Sequence, residues 1–165
     1  MKLGIIGNGF VGKATRQLAC DDLEILSYDL NPDLCVPKNI SLNDLINCKL
    51  IFICVPTPMN QDGSCYLEYV KTVFENLDKL GFNGFRVLRS TVPVGTCDQL
   101  DCYFMPEFLT EKRYIDDFIN NKNWIYGLKQ SDKDKEFKNL IELIINSAYR
   151  SGKIKYNKIS FSNNK

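Results

Sequence analysis

The segment KLGIIGNGFVG, residues 2–12, contains the pattern that indicates the fold class. Its first half, Lys2–Ile6, is a short apolar run that predicts a buried β-strand, and the glycine after it predicts a turn. Its second half is a Gly-x-Gly-x-x-Gly pattern at the start of a helix predicted over 10–20. A second apolar run, Glu24–Tyr28, predicts the next strand and completes a strand–helix–strand unit.

The same alternation of strands and helices continues to the end of the chain. Further strands are predicted over 50–55, 86–89, 103–105, 124–128 and 158–161, with helices over 66–80 and 133–149. Repeated units of this kind predict an α/β fold with a doubly wound, mostly parallel, Rossmann-like sheet. We expect a single domain over residues 1–161, followed by a polar tail at 162–165 that frays.

Composition excludes several classes of protein. The chain has 165 residues and a mass of 19.0 kDa, which suits one globular domain with its own core. A net charge of +1 provides no overall field that would attract nucleic acid or a membrane surface, so we expect neither partner. The absence of histidine removes the commonest general base and most catalytic zinc sites, and we expect no metal.

The cysteines and the N-terminus predict a cytoplasmic location. Seven cysteines are scattered without a Cys-x-x-Cys pair, which argues against a disulfide framework and fits a reducing compartment. The N-terminus has no signal-peptide pattern, and no apolar run approaches the ~20 residues of a membrane span.

Each glycine of the Gly-x-Gly-x-x-Gly pattern has a physical role in binding a dinucleotide. Gly7 permits the tight turn, Gly9 lets a pyrophosphate approach the backbone, and Gly12 allows the helix to pack closely on the strand. The helix N-terminus supplies free N–H groups and a partial positive charge. Because the pattern stands between a predicted strand and a predicted helix, it indicates a dinucleotide site more specifically than the glycines alone.

Asp29 ends the second predicted strand, 17 residues after Gly12. A carboxylate at this point accepts hydrogen bonds from the hydroxyls of an adenosine ribose and repels a 2′-phosphate, and no basic residue follows before Lys38. The sequence therefore favours NAD over NADP as cofactor. The alternative is that Asp29 only caps the turn at Asn31 and Pro32.

Three later segments, each following a predicted strand, resemble motifs of one enzyme family. They are Val-Pro-Thr-Pro at 55–58, Arg-Ser-Thr-Val-Pro-Val-Gly-Thr at 89–96 and Met-Pro-Glu-Phe-Leu-Thr-Glu at 105–111. In this order they resemble the UDP-glucose/GDP-mannose dehydrogenase family, which oxidises the primary alcohol of a nucleotide sugar to a carboxylate using NAD. The resemblance is to the N-terminal, NAD-binding domain and covers nearly the whole chain.

The resemblance implies roles for individual residues. Thr91 and Glu107 match the family's catalytic positions, the first near a catalytic water and the second in acid/base work. Cofactor contacts are implied for Gly7, Asn8, Gly9, Phe10, Val11, Gly12, Asp29, Val55, Pro56, Thr57, Pro58, Ser90, Thr91 and Glu111. Substrate contacts are implied for Glu107, Phe108, Leu109, Thr110 and Glu111. Taken singly, the threonines are also typical of turns and Glu107 of a helix start.

The resemblance ends where the family's other half begins. The family's connecting helix and C-terminal domain, which carry a lysine, an asparagine and a nucleophilic cysteine, have no counterpart here, so we expect a truncated chain that is inactive alone. One hypothesis is therefore the NAD-binding domain of a nucleotide-sugar 6-dehydrogenase that works with a second polypeptide. The alternative is a non-catalytic module that binds NAD(H) or a nucleotide sugar. The sequence identifies neither the sugar nor the oligomeric state.

Overall fold

Seven strands form one sheet in a computed structural model of the chain, which describes residues 1–163. The strands are β1 Lys2–Ile6, β2 Glu24–Tyr28, β3 Leu50–Ile53, β4 Phe85–Leu88, β5 Tyr103–Phe104, β6 Trp124–Leu128 and β7 Ile159–Asn163. Their order is β2-β1-β3-β4-β5-β6-β7, and every neighbouring pair is parallel except β5 and β6. The predicted doubly wound, mostly parallel α/β fold is confirmed.

Residues 1–163 contain five α-helices. They are α1 Phe10–Thr15, α2 Glu68–Lys79, α3 Thr96–Gln99, α4 Tyr114–Ile119 and α5 Asp134–Arg150. Short 3-10 segments follow α1 and β2, and a third lies within the loop before β3. The long helices α2 and α5 match the predictions within two residues at each end, because their apolar residues recur every three or four positions over three turns or more.

Two hydrophobic cores lie on opposite faces of the sheet, and β3 contributes to both. Successive side chains of a strand point to opposite faces, so Leu50 and Phe52 join one core while Ile51 and Ile53 join the other. All four are fully buried. The first core also receives the apolar face of α5, and the second that of α2. This burial on both faces explains why β3 is apolar at every position.

The first helix is shorter than predicted. The α-helix ends at Thr15, and residues Arg16–Leu18 continue as a single 3-10 turn instead of extending the helix to residue 20. The Thr15 hydroxyl donates a hydrogen bond to the carbonyl of Val11, four residues earlier, an arrangement that weakens helix continuation. Ala19 then adopts an extended conformation and leads the chain towards β2.

The last strand is longer than predicted. β7 begins at Ile159 and runs to Asn163, so Ser162 and Asn163 belong to the strand and not to the polar tail predicted at 162–165. The reason is backbone pairing: β7 stays in register with β6 as far as Leu128 opposite Asn163, and ladder hydrogen bonds do not require apolar side chains. Residues 164 and 165 of the predicted tail lie outside the described residues.

Candidate cofactor-binding site

The candidate residues lie at the carboxyl edge of the sheet, around the point where the strand order reverses. β1 has β2 on one side and β3 on the other, and the later strands continue beyond β3. In open α/β sheets this reversal leaves a crevice outside the strand ends. Because β1 to β5 are parallel, the loops that follow them all lie at the same edge. The sheet topology therefore brings together residues that are far apart in sequence.

The glycine-rich turn after β1 contains two glycines that packing requires and one that faces open space. Gly7 has a φ of +89°, and a Cβ there would lie 2.7 Å from the carbonyl oxygen of Cys54. A Cβ on Gly12 would lie 2.1 Å from the carbonyl oxygen of Gly7. A Cβ on Gly9 would meet no atom within 4 Å. The space over Gly9 is therefore open.

Asp29 lies beside this turn and its carboxylate is held by backbone amides. The amide of Asn8 donates to Oδ2 at 2.7 Å, and the amide of Asn31 donates to Oδ1 at 2.9 Å. Each oxygen retains a lone pair for a further donor, and the residue is partly exposed. Asn8 fastens the turn from its other side, because its Nδ2 donates to the carbonyl of Leu34 at 2.6 Å. The turn interpretation and the ribose interpretation of Asp29 are thus compatible.

The loops after β3 and β4 are joined by two side-chain hydrogen bonds. The hydroxyl of Thr57 donates to the carbonyl of Thr91 at 2.7 Å, and that of Ser90 donates to the carbonyl of Val55 at 2.6 Å. Ser90 is buried, whereas Thr91 is exposed. These bonds fix the Val55–Pro58 loop against the Ser90–Thr91 segment, so the two predicted motifs form one rigid wall of the crevice.

Glu107 lies at the end of β5, in a tight loop of its own. Its Oε1 accepts a hydrogen bond from the amide of Leu109 at 2.6 Å, and the residue is partly exposed. Phe108 is 62% exposed, while Leu109 packs against the core. The loop therefore presents a carboxylate and an aromatic ring to the crevice side of the sheet.

The remaining predicted substrate residues differ in their availability. Thr110 is exposed, but both its amide and its hydroxyl donate to Oδ2 of Asp117, so its hydroxyl is already engaged. Glu111 is exposed. The ring of Tyr114 lies 5.3 Å from that of Phe10, which connects this loop to the glycine-rich turn through α1 and α4.

Arg89, which the sequence analysis did not single out as a functional residue, lies buried beneath the site. Its Nη1 donates to the Thr15 hydroxyl, and its guanidinium stacks 5.6 Å from the ring centre of Phe118. Burial lowers the pKa of Arg89, while charge interactions with Cys54, Tyr126 and Glu107 act in the opposite direction. The sequence feature that could have indicated a role for Arg89 is its position, a charged residue at the end of a predicted strand.

The fit to a dinucleotide rests on the turn and on Asp29. Open space above Gly9 accepts a pyrophosphate, and a carboxylate held beside the turn has lone pairs left for ribose hydroxyls. A wide concavity of about 930 Å³ lies elsewhere, at the amino end of the strands, lined by Lys49, Arg86 and Asp101 among others. We place the candidate site at the strand reversal because the open space over Gly9 and the carboxylate of Asp29 lie there.

Within residues 1–163, no group of three or more His, Cys, Asp or Glu side chains is arranged to hold a metal ion. No helix in this described part of the chain combines the length and the apolar character that crossing a membrane requires.

Similarity to known proteins agrees with this geometry. UDP-glucose 6-dehydrogenase of Rickettsia conorii is 28% identical over 159 residues, covering 84% of this chain and 36% of the relative. An uncharacterised protein of Methanocaldococcus jannaschii is 32% identical over 175 residues, covering 82% of this chain and 19% of its own length. The chain thus spans about a third or less of the length of these curated relatives.

Solved structures show the same fold. GDP-mannose dehydrogenase from Pseudomonas aeruginosa superimposes with a TM-score of 0.75 at 22% identity, over 99% of this chain and 46% of that one. A UDP-glucose dehydrogenase from Pyrobaculum islandicum gives a TM-score of 0.74 at 20% identity, over 98% and 46%.

The sequence model of the NAD-binding domain of the UDP-glucose/GDP-mannose dehydrogenase family matches residues 37–145, about two thirds of the chain. The matched region begins after the glycine-rich turn and includes the loops that follow β3, β4 and β5. The chain therefore belongs to the UDP-glucose/GDP-mannose dehydrogenase family, in which it corresponds to the NAD-binding domain.

Proposed function

We propose that this chain is the NAD(H)-binding part of a nucleotide-sugar 6-dehydrogenase and that it binds the cofactor along the carboxyl edge of its sheet. The pyrophosphate lies over Gly9, the adenosine ribose on Asp29, and the nicotinamide half towards Val55–Pro58 and Ser90. NADP is rejected because its 2′-phosphate would meet the Asp29 carboxylate.

The observation that carries this proposal is the contrast between the glycines of the turn. Gly7 and Gly12 are required by packing, since a Cβ on either would strike backbone atoms. No neighbouring atom of the protein explains Gly9, whose φ of −71° is open to any residue type. A glycine that the fold does not need, at the strand reversal of a doubly wound sheet, is what close approach of a pyrophosphate requires.

Thr91 and Glu107 are the residues to which we assign chemistry. When bound, NAD accepts the hydride that leaves the sugar alcohol. Thr91 is exposed, and its backbone carbonyl is already held by Thr57, so its side chain can orient a water molecule. The Glu107 carboxylate uses one oxygen to accept the Leu109 amide and keeps the other for proton exchange.

Substrate contact falls to the loop that follows Glu107. Phe108 and Glu111 are exposed, whereas Thr110 is bound to Asp117 and Leu109 is packed inward. We therefore assign Phe108 and Glu111 the main contacts and Thr110 a role in shaping the loop. The residues that hold the rest of the nucleotide sugar lie outside residues 1–165, either in a second polypeptide or in a longer form of the chain.

Cofactor preference tests this proposal. In Asp29→Asn, loss of the charge removes strong hydrogen bonds to the ribose and also the repulsion of a 2′-phosphate. Calorimetry should show NADH affinity falling by about tenfold and NADPH affinity rising towards it. The matched control is Asp33→Asn, because Asp33 is an exposed aspartate in the neighbouring turn that pairs with Lys38.

The control variant should keep the wild-type preference for NADH over NADPH. Equal affinities of the wild-type chain for the two cofactors, or an unchanged preference in Asp29→Asn, would remove Asp29 from the ribose site. Binding of a nucleotide sugar but not of NADH would favour the alternative, a nucleotide-sugar binding module.

A further inference from the structure

The connection between β4 and β5 ends in a turn that brings two cysteines together. Helix α3 ends at Gln99, Leu100 caps it, and Asp101 adopts a left-handed conformation with a φ of 49°. The amide of Cys102 then donates to the carbonyl of Cys97 at 3.1 Å, and that of Asp101 donates to Asp98. This pair of bonds defines a Schellman motif.

A Schellman motif places two specific side chains in contact, and here both are cysteines. The residue that donates the outer hydrogen bond packs against the residue that accepts it. The backbone bond from the amide of Cys102 to the carbonyl of Cys97 places the two side chains side by side, and each thiol shifts the pKa of the other. Both residues are buried, but Cys97 at 7% exposed lies nearer the surface than Cys102, which is fully buried.

We propose that Cys97 and Cys102 form a redox-active dithiol that a hydroperoxide oxidises to an intramolecular disulfide. The backbone already holds the two residues in a closed, hydrogen-bonded turn, so the bond forms without moving a strand or a helix. Hydrogen peroxide is the oxidant of choice because a small oxidant is the kind best suited to Cys97, the less buried residue of the pair.

The reaction has two steps, and its atoms balance. The Cys97 thiolate attacks one oxygen of hydrogen peroxide, forming a sulfenic acid and releasing hydroxide, which takes up a proton to become water. Cys102 then loses its proton, and its sulfur attacks that of Cys97, expelling a second hydroxide that also becomes water. The dithiol is oxidised by two electrons and the peroxide is reduced to water.

The roles of the two cysteines follow from their surroundings. The hydrogen bond from the Cys102 thiol lowers the pKa of Cys97 against the opposing effect of burial, which favours the thiolate that attacks peroxide. The shared hydrogen bond and burial both raise the pKa of Cys102, so it stays protonated until Cys97 has reacted. Cys97 is thus the peroxide-reactive residue and Cys102 the resolving residue.

Peptide mapping of the wild-type chain tests the proposal without any substitution. The reduced protein is treated with limited hydrogen peroxide, remaining thiols are alkylated, and the digest is analysed by mass spectrometry. The peptide containing Cys97 and Cys102 should escape alkylation, lack two hydrogen atoms and return to the alkylated form after reduction. Full alkylation of both cysteines while others are oxidised, or a link to a different cysteine, would overturn the proposal.

Two variants separate the roles within the pair. In Cys102→Ser, peroxide should leave Cys97 as a sulfenic acid that dimedone traps, whereas Cys20→Ser, a partly exposed cysteine elsewhere, should still form the disulfide. Oxidation should raise the melting temperature by about 5 °C in the wild type and in Cys20→Ser but not in Cys102→Ser. A dimedone adduct absent from Cys97, or an equal rise in all three, would contradict the assignment.

Discussion

Tyr126 places a polar hydroxyl group inside the protein core. Its side chain is fully buried on β6, and within the described residues its hydroxyl has no hydrogen-bond partner. Burial raises the pKa of Tyr126 above its ordinary value, and the nearby Arg89 only partly offsets this effect. The buried hydroxyl therefore lowers the free energy of unfolding.

We predict that Tyr126→Phe stabilises the fold slightly, by about 1 kcal/mol, because it removes an unpartnered buried hydroxyl. Urea unfolding measures this change. Tyr149→Phe is the control, since Tyr149 is 44% exposed on α5. A loss of stability in Tyr126→Phe would show that the hydroxyl has a partner, such as a buried water.

The same variant has a predicted pH dependence. The pKa of Tyr126 is higher in the folded state than in the unfolded state. The folding stability that comes from this difference is fully present below the unfolded value of 10.0 and is lost as the pH rises above it. Between about pH 8 and about pH 11, Tyr126→Phe should lose less stability than the wild type. An identical loss in both proteins would contradict the pKa argument.

At the level of elements, the bond between Thr15 and Arg89 joins the end of α1 to the end of β4. The Thr15 hydroxyl makes two hydrogen bonds: it accepts one from the Arg89 guanidinium and donates one to the carbonyl of Val11. Nε of Arg89 has no hydrogen-bond partner within the described residues, so the bond from Nη1 to Thr15 is the side-chain hydrogen bond that the buried guanidinium makes there.

Thr15→Val should therefore destabilise the protein by about 1–3 kcal/mol in urea unfolding, since it deprives a buried charged donor of its acceptor while keeping the side-chain shape. Thr72→Val on the exposed face of α2 is the matched control and should change little. Equal stability of Thr15→Val and the wild type would mean that Arg89 is satisfied in another way.

Most long elements could be predicted from the sequence, and the short ones could not. β3 and α5 were recognisable because burial on two faces and helical periodicity leave long patterns. α3 and α4 have four and six residues, too few for a period to emerge. The antiparallel direction of β6 was also beyond reach, because the composition of a strand does not specify its direction in the sheet.

The candidate site was likewise predictable only in part. Its residues were predictable as a group, since loops after parallel strands share one edge of the sheet. Its internal bonds were not predictable: Thr57 reaches the carbonyl of Thr91 and Ser90 that of Val55 across more than thirty residues of sequence. Such pairs depend on strand order and register, which single-sequence patterns do not encode.

At the scale of the whole molecule, the chain presents its carboxyl edge as an open surface. We predict that the purified chain alone does not oxidise UDP-glucose or GDP-mannose, because Glu107 and Thr91 lie at an edge where nothing within residues 1–163 encloses a sugar. Absorbance at about 340 nm follows NADH formation. NADH formation that is lost in Glu107→Gln would contradict this prediction.

Addition of a polypeptide carrying the family's remaining half should restore activity if the two parts act together. Restored activity that depends on Glu107 would support the dehydrogenase proposal. NADH binding without activity, even with that second polypeptide present, would instead favour a non-catalytic binding module.

The proposed function requires that NAD(H) binds over the glycine-rich turn. Calorimetric titration of NADH into Gly9→Val tests this directly. A side chain at Gly9 meets no protein atom within 4 Å, so the variant should melt at the wild-type temperature, whereas the control Gly12→Ala should be destabilised by its 2.1 Å contact with Gly7. We expect Gly9→Val to remain folded and to give no heat of binding. A folded Gly9→Val that binds NADH as tightly as the wild type would contradict it.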